Sequence, residues 1–216
     1  MKNRRKRDKI GYNLVYDFVK VTGAIPTLLY VRPKAYYPEG KPSKRGAMLL
    51  SSNHVTFLDP ILIHTVFPLR RINSLATKEL YKNKFMTNFL TFCHCIMVDK
   101  QNFSMSALHD ILDRLNQGKL VVIFPEGQVN TEEQNSVMTF KSGVILMAYK
   151  SGAPVIPIYI VKREKWYHRQ EIVIGGAVDI RAMVGAVPSM QEINAAGEYL
   201  RQKEFELKSF YENLKK

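Results

Sequence analysis

Leu120-Val121-Val122-Ile123-Phe124-Pro125-Glu126-Gly127 opens with five apolar residues in an unbroken row. The row has the length of a strand and none of the polar alternation of a half-exposed one, so it reads as a strand buried on both faces. On its N-terminal side Phe103, Ala107, Leu108, Ile111, Leu112 and Leu115 recur at three- and four-residue spacing and stop at Gly118, the pattern of an amphipathic helix. On its C-terminal side Phe140 to Lys150 reads as a helix ending at Ser151-Gly152. Further out, Ala47 to Leu50, Ile72 to Ala76, Ile96 to Val98, Val155 to Ile160 and Ile172 to Ile174 read as strands. Asp59 to His64, Lys84 to Phe92 and Met190 to Leu214 read as helices. Pro157 removes a ladder hydrogen bond, which puts its strand at a sheet edge or places the proline at a strand start. Such alternation predicts an α/β fold with a central mixed sheet flanked by helices.

The 216 residues suit one domain, and 46% hydrophobic with 24% charged residues is a globular balance that excludes intrinsic disorder. Lys and Arg outnumber Asp and Glu by 32 to 19, a net charge of +13. Residues 1–45 hold 12 basic and 3 acidic side chains, whereas the rest is nearly balanced. The chain therefore divides into a basic N-terminal part, residues 1–45, and a body, residues 46–216. A basic excess calls for a polyanion, either nucleic acid or an anionic membrane. Nucleic-acid binding asks for basic residues interleaved with exposed aromatics over one face, and here the charge is gathered in an arm. Behind the arm, Ile10 to Val31 is mostly apolar, with Asp17, Lys20, Gly23 and Pro26 interrupting it. A spanning helix needs roughly 20 predominantly apolar residues, and these interruptions suit a helical segment lying in the bilayer interface better. The expected partner is an anionic membrane surface, and no nucleic acid.

Cys93 and Cys95 are the only cysteines, with no second cluster to complete a zinc site. If residues 93–95 are extended, both thiols share one face of a strand and His94 takes the other. They read as core thiols in a reducing compartment.

Two loops place polar residues where a strand has just ended: Asn53-His54-Val55-Thr56-Phe57-Leu58-Asp59 and Phe124-Pro125-Glu126-Gly127-Gln128-Val129-Asn130. Ligands of open α/β sheets collect outside strand ends, so these loops are expected to line one cleft. On a continuous helix His54 and Asp59 would lie about 140° apart. A loop that ends at an Asp-Pro helix start lets His54 turn back over Asp59. A carboxylate on one imidazole nitrogen fixes the tautomer and leaves the other nitrogen as a base. With no G-x-S-x-G elbow around Ser51 or Ser52, such a pair would deprotonate a substrate hydroxyl rather than activate a serine. Asp59 could equally cap its helix, with His54 serving only the loop backbone.

Asn53-His54 followed by Asp59, Phe124-Pro125-Glu126-Gly127 about seventy residues on, and Val155-Ile156-Pro157-Ile158 together resemble the glycerophospholipid acyltransferases, nearest to the 1-acylglycerol-3-phosphate acyltransferases. The likeness runs from about Gly46 to Ile160 with every block in order. It implies that residues 46–216 form an acyltransferase domain moving an acyl group from acyl-CoA or acyl-carrier protein to a lysophospholipid hydroxyl. Lysophosphatidic acid would be the first acceptor. By the resemblance His54 is the general base and Asp59 orients it. Lys78, Lys100, Glu126, Gly127 and Lys141 fall at acceptor-binding positions, and Pro157 at a block linked to the acyl donor. No metal and no tightly bound cofactor are implied, only the thioester co-substrate. The protein would sit on the cytoplasmic face of the membrane, peripheral or monotopic.

Three positions depart from the family pattern. His94 stands where the second block usually has Gly, and Lys100 where it ends in Arg. Lys100 keeps a charge but loses the bidentate fork that suits phosphate. Val129 replaces an Arg, removing a charged hydrogen bond of the kind that contributes about 1.5–3 kcal/mol. Phe-Pro-Glu-Gly-x-Val-Asn is also similar to tafazzin-type transacylases, which keeps a larger acceptor headgroup, or an idle lipid-binding module, as the alternative.

Overall fold

The computed structural model describes residues 10–56, 58–99, 104–125, 137–163, 165 and 167–216. Along the chain run α1 (Ile10–Val31), β1 (Lys34–Tyr36), β2 (Met48–Ser52), α2 (Asp59–Val66) and β3 (Ile72–Thr77). A 3₁₀ turn (Lys78–Leu80), α3 (Lys84–Phe92), β4 (Ile96–Val98), α4 (Met105–Asn116) and β5 (Leu120–Ile123) follow. The chain ends through α5 (Val137–Ser151), β6 (Val155–Ile160), β7 (Glu171–Ile174) and α6 (Met190–Leu214). The strands form one sheet in the order β1-β7-β6-β2-β5-β3-β4. All pairings are parallel except β6 with β7, so the sheet is mixed, as expected.

Every residue of β5 has zero exposure, which its unbroken apolar run required. Successive side chains of a strand point to opposite faces, and here they feed two cores. Leu49, Val121 and Ile123 pack with Ile111, Leu115, Val144, Ile145 and Leu200 under α4, α5 and α6. Met48, Leu50, Leu120 and Val122 pack on the other side with Leu62 and Ile63 of α2. Ser104 and Ser189 cap α4 and α6 by accepting backbone N–H groups, and Glu192 completes a capping box at the latter.

Two expectations are corrected. Pro157 is not on an edge strand: β6 lies between β7 and β2. It is tolerated because its missing N–H would face Gly175, one residue beyond the Ile158–Ile174 end of the β7 ladder, where the Pro157 carbonyl still accepts from Gly175 at 2.9 Å. A Cβ on Gly175 would come within 2.9 Å of the proline ring. The Cys93–Cys95 segment is not a strand. Cys93 ends α3, and the Cys95 N–H turns back to the Leu90 carbonyl. His94 sits at φ 57°, the left-handed region that glycine adopts freely, which accounts for the glycine usual at this position. The expected N-terminal helical segment is α1, continuous through Gly23 and Pro26. Residues 1–45 also hold the short β1, whose three residues between Pro33 and Pro38 carry little periodic signal.

Helix α1 meets the body through polar groups. The buried Tyr16 hydroxyl accepts from Ile72 N–H at 2.8 Å and donates to its carbonyl at 3.3 Å. Lys20 donates to the Phe67 carbonyl at 3.1 Å, and Arg71 pairs with Asp17 at 2.6 and 3.0 Å. Val31 is buried at the end of the helix, but Leu14, Phe18, Val21, Ile25, Leu28 and Leu29 point away and are all at least 45% exposed, forming a stripe at helical spacing. By length and composition Asn13–Val31 is apolar enough to cross a membrane.

Candidate active site

The parallel strands β2, β5, β3 and β6 end on one edge, and the residues singled out from the sequence begin there. β2 exits through Asn53, whose side chain closes a two-point clamp on the end of β6. Its Nδ2 donates to the Ile160 carbonyl at 2.9 Å and its Oδ1 accepts from Ile160 N–H at 2.6 Å. A short amide at a strand exit substitutes for one more backbone pairing and so sets the direction in which the next residue leaves. In the sequence Asn53 is only the first residue of a motif, and its position at a strand's exit is the signal that points to this role.

That next residue is His54, 17% exposed, with its ring stacked on Phe124 at 4.4 Å between centroids. The two loops are thus joined close to their starts. His54 Nδ1 lies 2.8 Å from Asp59 Oδ2, and Asp59 is only 1% exposed. The same Oδ2 accepts from Val55 N–H at 2.6 Å and Thr56 N–H at 2.8 Å, while Oδ1 accepts from the Thr56 hydroxyl at 2.8 Å. A helix cap was the competing role for Asp59, and the structure removes it. Leu58 is the N-cap residue and no side chain caps α2. The carboxylate instead folds the loop back on itself, and that fold delivers the imidazole. With the Nδ1 proton held by a carboxylate, the lone pair of the neutral ring lies on Nε2.

Of the other expected site residues, Lys78, Lys141 and Pro157 fall within the described residues. Lys78 is exposed, at the end of β3 on the same edge. Pro157 is buried within the sheet. Lys141 falls in α5. Lys100, Glu126, Gly127 and Val129 lie outside the described residues. Burial pushes the Cys93 thiol up to about 11, so it stays protonated and is no nucleophile near neutral pH. Among the described residues no three His, Cys, Asp or Glu side chains gather to hold a metal ion.

A mixed α/β sheet with a carboxylate-oriented histidine at its strand ends is an arrangement able to take a proton from a hydroxyl. Residues 31–161, more than half of the chain, match the family described as Acyltransferase, and the chain belongs to that family. It is 26% identical over 190 residues to a 1-acyl-sn-glycerol-3-phosphate acyltransferase of Bacillus subtilis, covering 84% of this chain and 90% of that one. A protein named taffazin from Dictyostelium discoideum is 25% identical over 193 residues, 77% of this chain and 67% of that one. The crystal structure of the 1-acyl-sn-glycerophosphate acyltransferase PlsC from Thermotoga maritima superposes with a TM-score of 0.62 at 21% identity. That likeness covers 100% of this chain and 84% of the other, and it shows the same fold.

Proposed function

We propose that the protein transfers a fatty acyl group from a thioester donor, acyl-CoA or acyl-carrier protein, to the free hydroxyl of lysophosphatidic acid, giving phosphatidic acid. The 2.8 Å contact between His54 Nδ1 and buried Asp59 carries the reading. In the first step His54 Nε2 takes the hydroxyl proton while the oxygen attacks the thioester carbonyl. The tetrahedral adduct then collapses, the C–S bond breaks, and the imidazolium returns the proton to the leaving thiolate. Asp59 keeps the tautomer and stabilises the imidazolium. No metal and no tightly bound cofactor take part. Lys78, with Lys100, Lys141, Glu126 and Gly127, would hold the acceptor's phosphate.

The exposed apolar stripe of α1 supports a protein lying on the membrane, where the acceptor itself partitions. The basic residues 1–9 would add attraction to the anionic cytoplasmic leaflet. A second reading, acylation or transacylation of a diester lysophospholipid, is favoured by Val129, because one cation fewer suits a headgroup of lower charge. The taffazin relative supports the same reading.

The test is to incubate purified protein with labelled acyl-CoA or acyl-carrier protein and a panel of lysophospholipids, then identify the products. His54→Ala should abolish transfer with the fold and vesicle binding intact. Turnover near that of the unaltered protein would end the general-base reading.

A further inference from the structure

The same sheet edge carries a second feature, beyond the end of β6. Because β7 runs antiparallel to β6 and β1 runs alongside β7, the first residues of both strands, Glu171 and Lys34, come to the edge where β6 ends. Val161 N–H donates to the Glu171 carbonyl, and Lys34 N–H and Gln170 N–H join the end of α1 to the start of β7. The corner so formed encloses a groove of about 810 Å³. Among the described residues, Arg32, Lys34, Lys162, Arg163, Arg169 and Lys215 line it, against two carboxylates, Glu171 and Glu212.

Glu171 is largely occupied within the wall. It accepts hydrogen bonds from the Tyr36 hydroxyl at 2.6 Å, from the Tyr211 hydroxyl, and from Lys215 at 3.1 Å. Backbone contacts stiffen the rim: Arg169 Nε donates to the Arg32 carbonyl at 3.1 Å, and the Arg32 guanidinium donates to the Tyr167 carbonyl. Gathering like charges around a concavity raises its self-repulsion and focuses a positive field, which an anion relieves.

Distance selects the anion. The corner runs outward from the end of β6, one strand from β2, to Glu171 and Lys34, two and three strands away; at about 4.8 Å per strand its far wall is roughly 10–14 Å from the exit of β2 at Asn53. In lysophosphatidic acid the phosphate is only a few bonds from the reacting hydroxyl, so it must bind close to His54. In a phosphopantetheine thioester a long flexible arm separates the phosphate from the reacting carbonyl, so the phosphate must bind away from His54. We infer that this groove holds the phosphate end of the acyl donor, with the pantetheine arm running along the strand ends to the dyad. The inference rests on the acyl-transfer reading. Acyl-CoA and acyl-carrier protein share that phosphate, and both present further negative charge beyond it.

The test uses the full chain and the double variant Lys34→Glu/Lys162→Glu, which alters two lysines without touching the rim's backbone contacts. Lys162→Gln serves as a milder second variant. Transfer is measured from three donors with one acyl chain: acyl-CoA, acyl-carrier protein, and the acyl thioester of N-acetylcysteamine, which has no phosphate. The double variant should lose roughly tenfold or more in kcat/KM for a phosphate-bearing donor relative to the N-acetylcysteamine thioester. Lys162→Gln should move the ratio the same way by less. The donor that loses more identifies the source. An unchanged ratio for both donors overturns the inference. So does a loss of binding to anionic vesicles with the donor ratio unchanged, which would make the groove a lipid-headgroup site. Calorimetric binding of free CoA and of holo-carrier protein provides a readout that needs no turnover. Should the unaltered protein acylate no lysophospholipid, the acyl-transfer reading fails, and these binding data still decide the groove: weaker binding by the double variant upholds it, and equal binding overturns it.

Discussion

The Asp59 carboxylate accepts four hydrogen bonds at 1% exposure, three from its own loop and one from the His54 ring. Removing it would leave two backbone N–H groups and the imidazole without their acceptor. Asp59→Ala should therefore destabilise the fold by about 2–4 kcal/mol, measured by urea unfolding. Asp59→Asn keeps an acceptor in place for the loop but offers no charge to an imidazolium, so it should retain most of the stability and lose most of the turnover. Equal losses of both properties in the two variants would mean that the carboxylate serves the loop alone. Asn53 acts one residue earlier. Asn53→Ala should lower kcat more than it raises KM, since its two bonds to Ile160 direct the strand exit that presents His54. A rise in KM with kcat unchanged would argue against that role.

Helix α1 reverses the usual arrangement of an amphipathic helix, with hydrogen bonds on the docked face and the apolar stripe outside. Its two faces should accordingly respond to different changes. Phe18→Asp and Leu29→Asp alter side chains that are 68% and 75% exposed, so they should weaken binding to vesicles while leaving the melting temperature nearly unchanged. Tyr16→Phe should do the opposite. It leaves the buried Ile72 N–H without its acceptor at a cost of about 1–3 kcal/mol, and it adds no charge to the stripe. A melting temperature that falls as far for Leu29→Asp as for Tyr16→Phe would mean that the stripe packs against the protein and not against lipid.

Across the molecule, protonation couples the joint between α1 and α2 to overall stability. Burial pushes His64 down to about 4, against the pull of the Pro60 carbonyl, and its ring lies 5.9 Å from that of Tyr16. The unfolded chain takes up this proton near pH 6.5, whereas the folded protein resists it until about pH 4. The stabilisation is therefore complete above pH 6.5, declines as the pH falls towards 4, and is lost below. His64→Phe should flatten this part of the stability–pH curve, read as the urea midpoint at pH 7 and pH 4.5. Parallel curves for the two proteins would show that other groups carry the acid sensitivity; Asp17 and Glu171, both held below the usual carboxylate range by their partners, pull in the same direction.

Much of the molecule was legible along the chain because strand and helix impose their own periods locally. The extents of α3, β4, β6 and α6, the double-sided burial of β5, and the pairing of His54 with Asp59 five residues away all follow from near neighbours. What the sequence left open involves partners far apart in the chain. The clamp from Asn53 to Ile160 spans 107 residues, and the contact from Tyr36 to Glu171 that closes the cationic corner spans 135. The interior position of Pro157 depends on which strand lies beyond it, and the apolar stripe of α1 on which of its faces finds hydrogen-bond partners in the body. Residue type and spacing determine what a segment forms. Which strand edges pair, and which charges then converge, is decided only when the whole sheet closes, because that pairing energy belongs to no single segment.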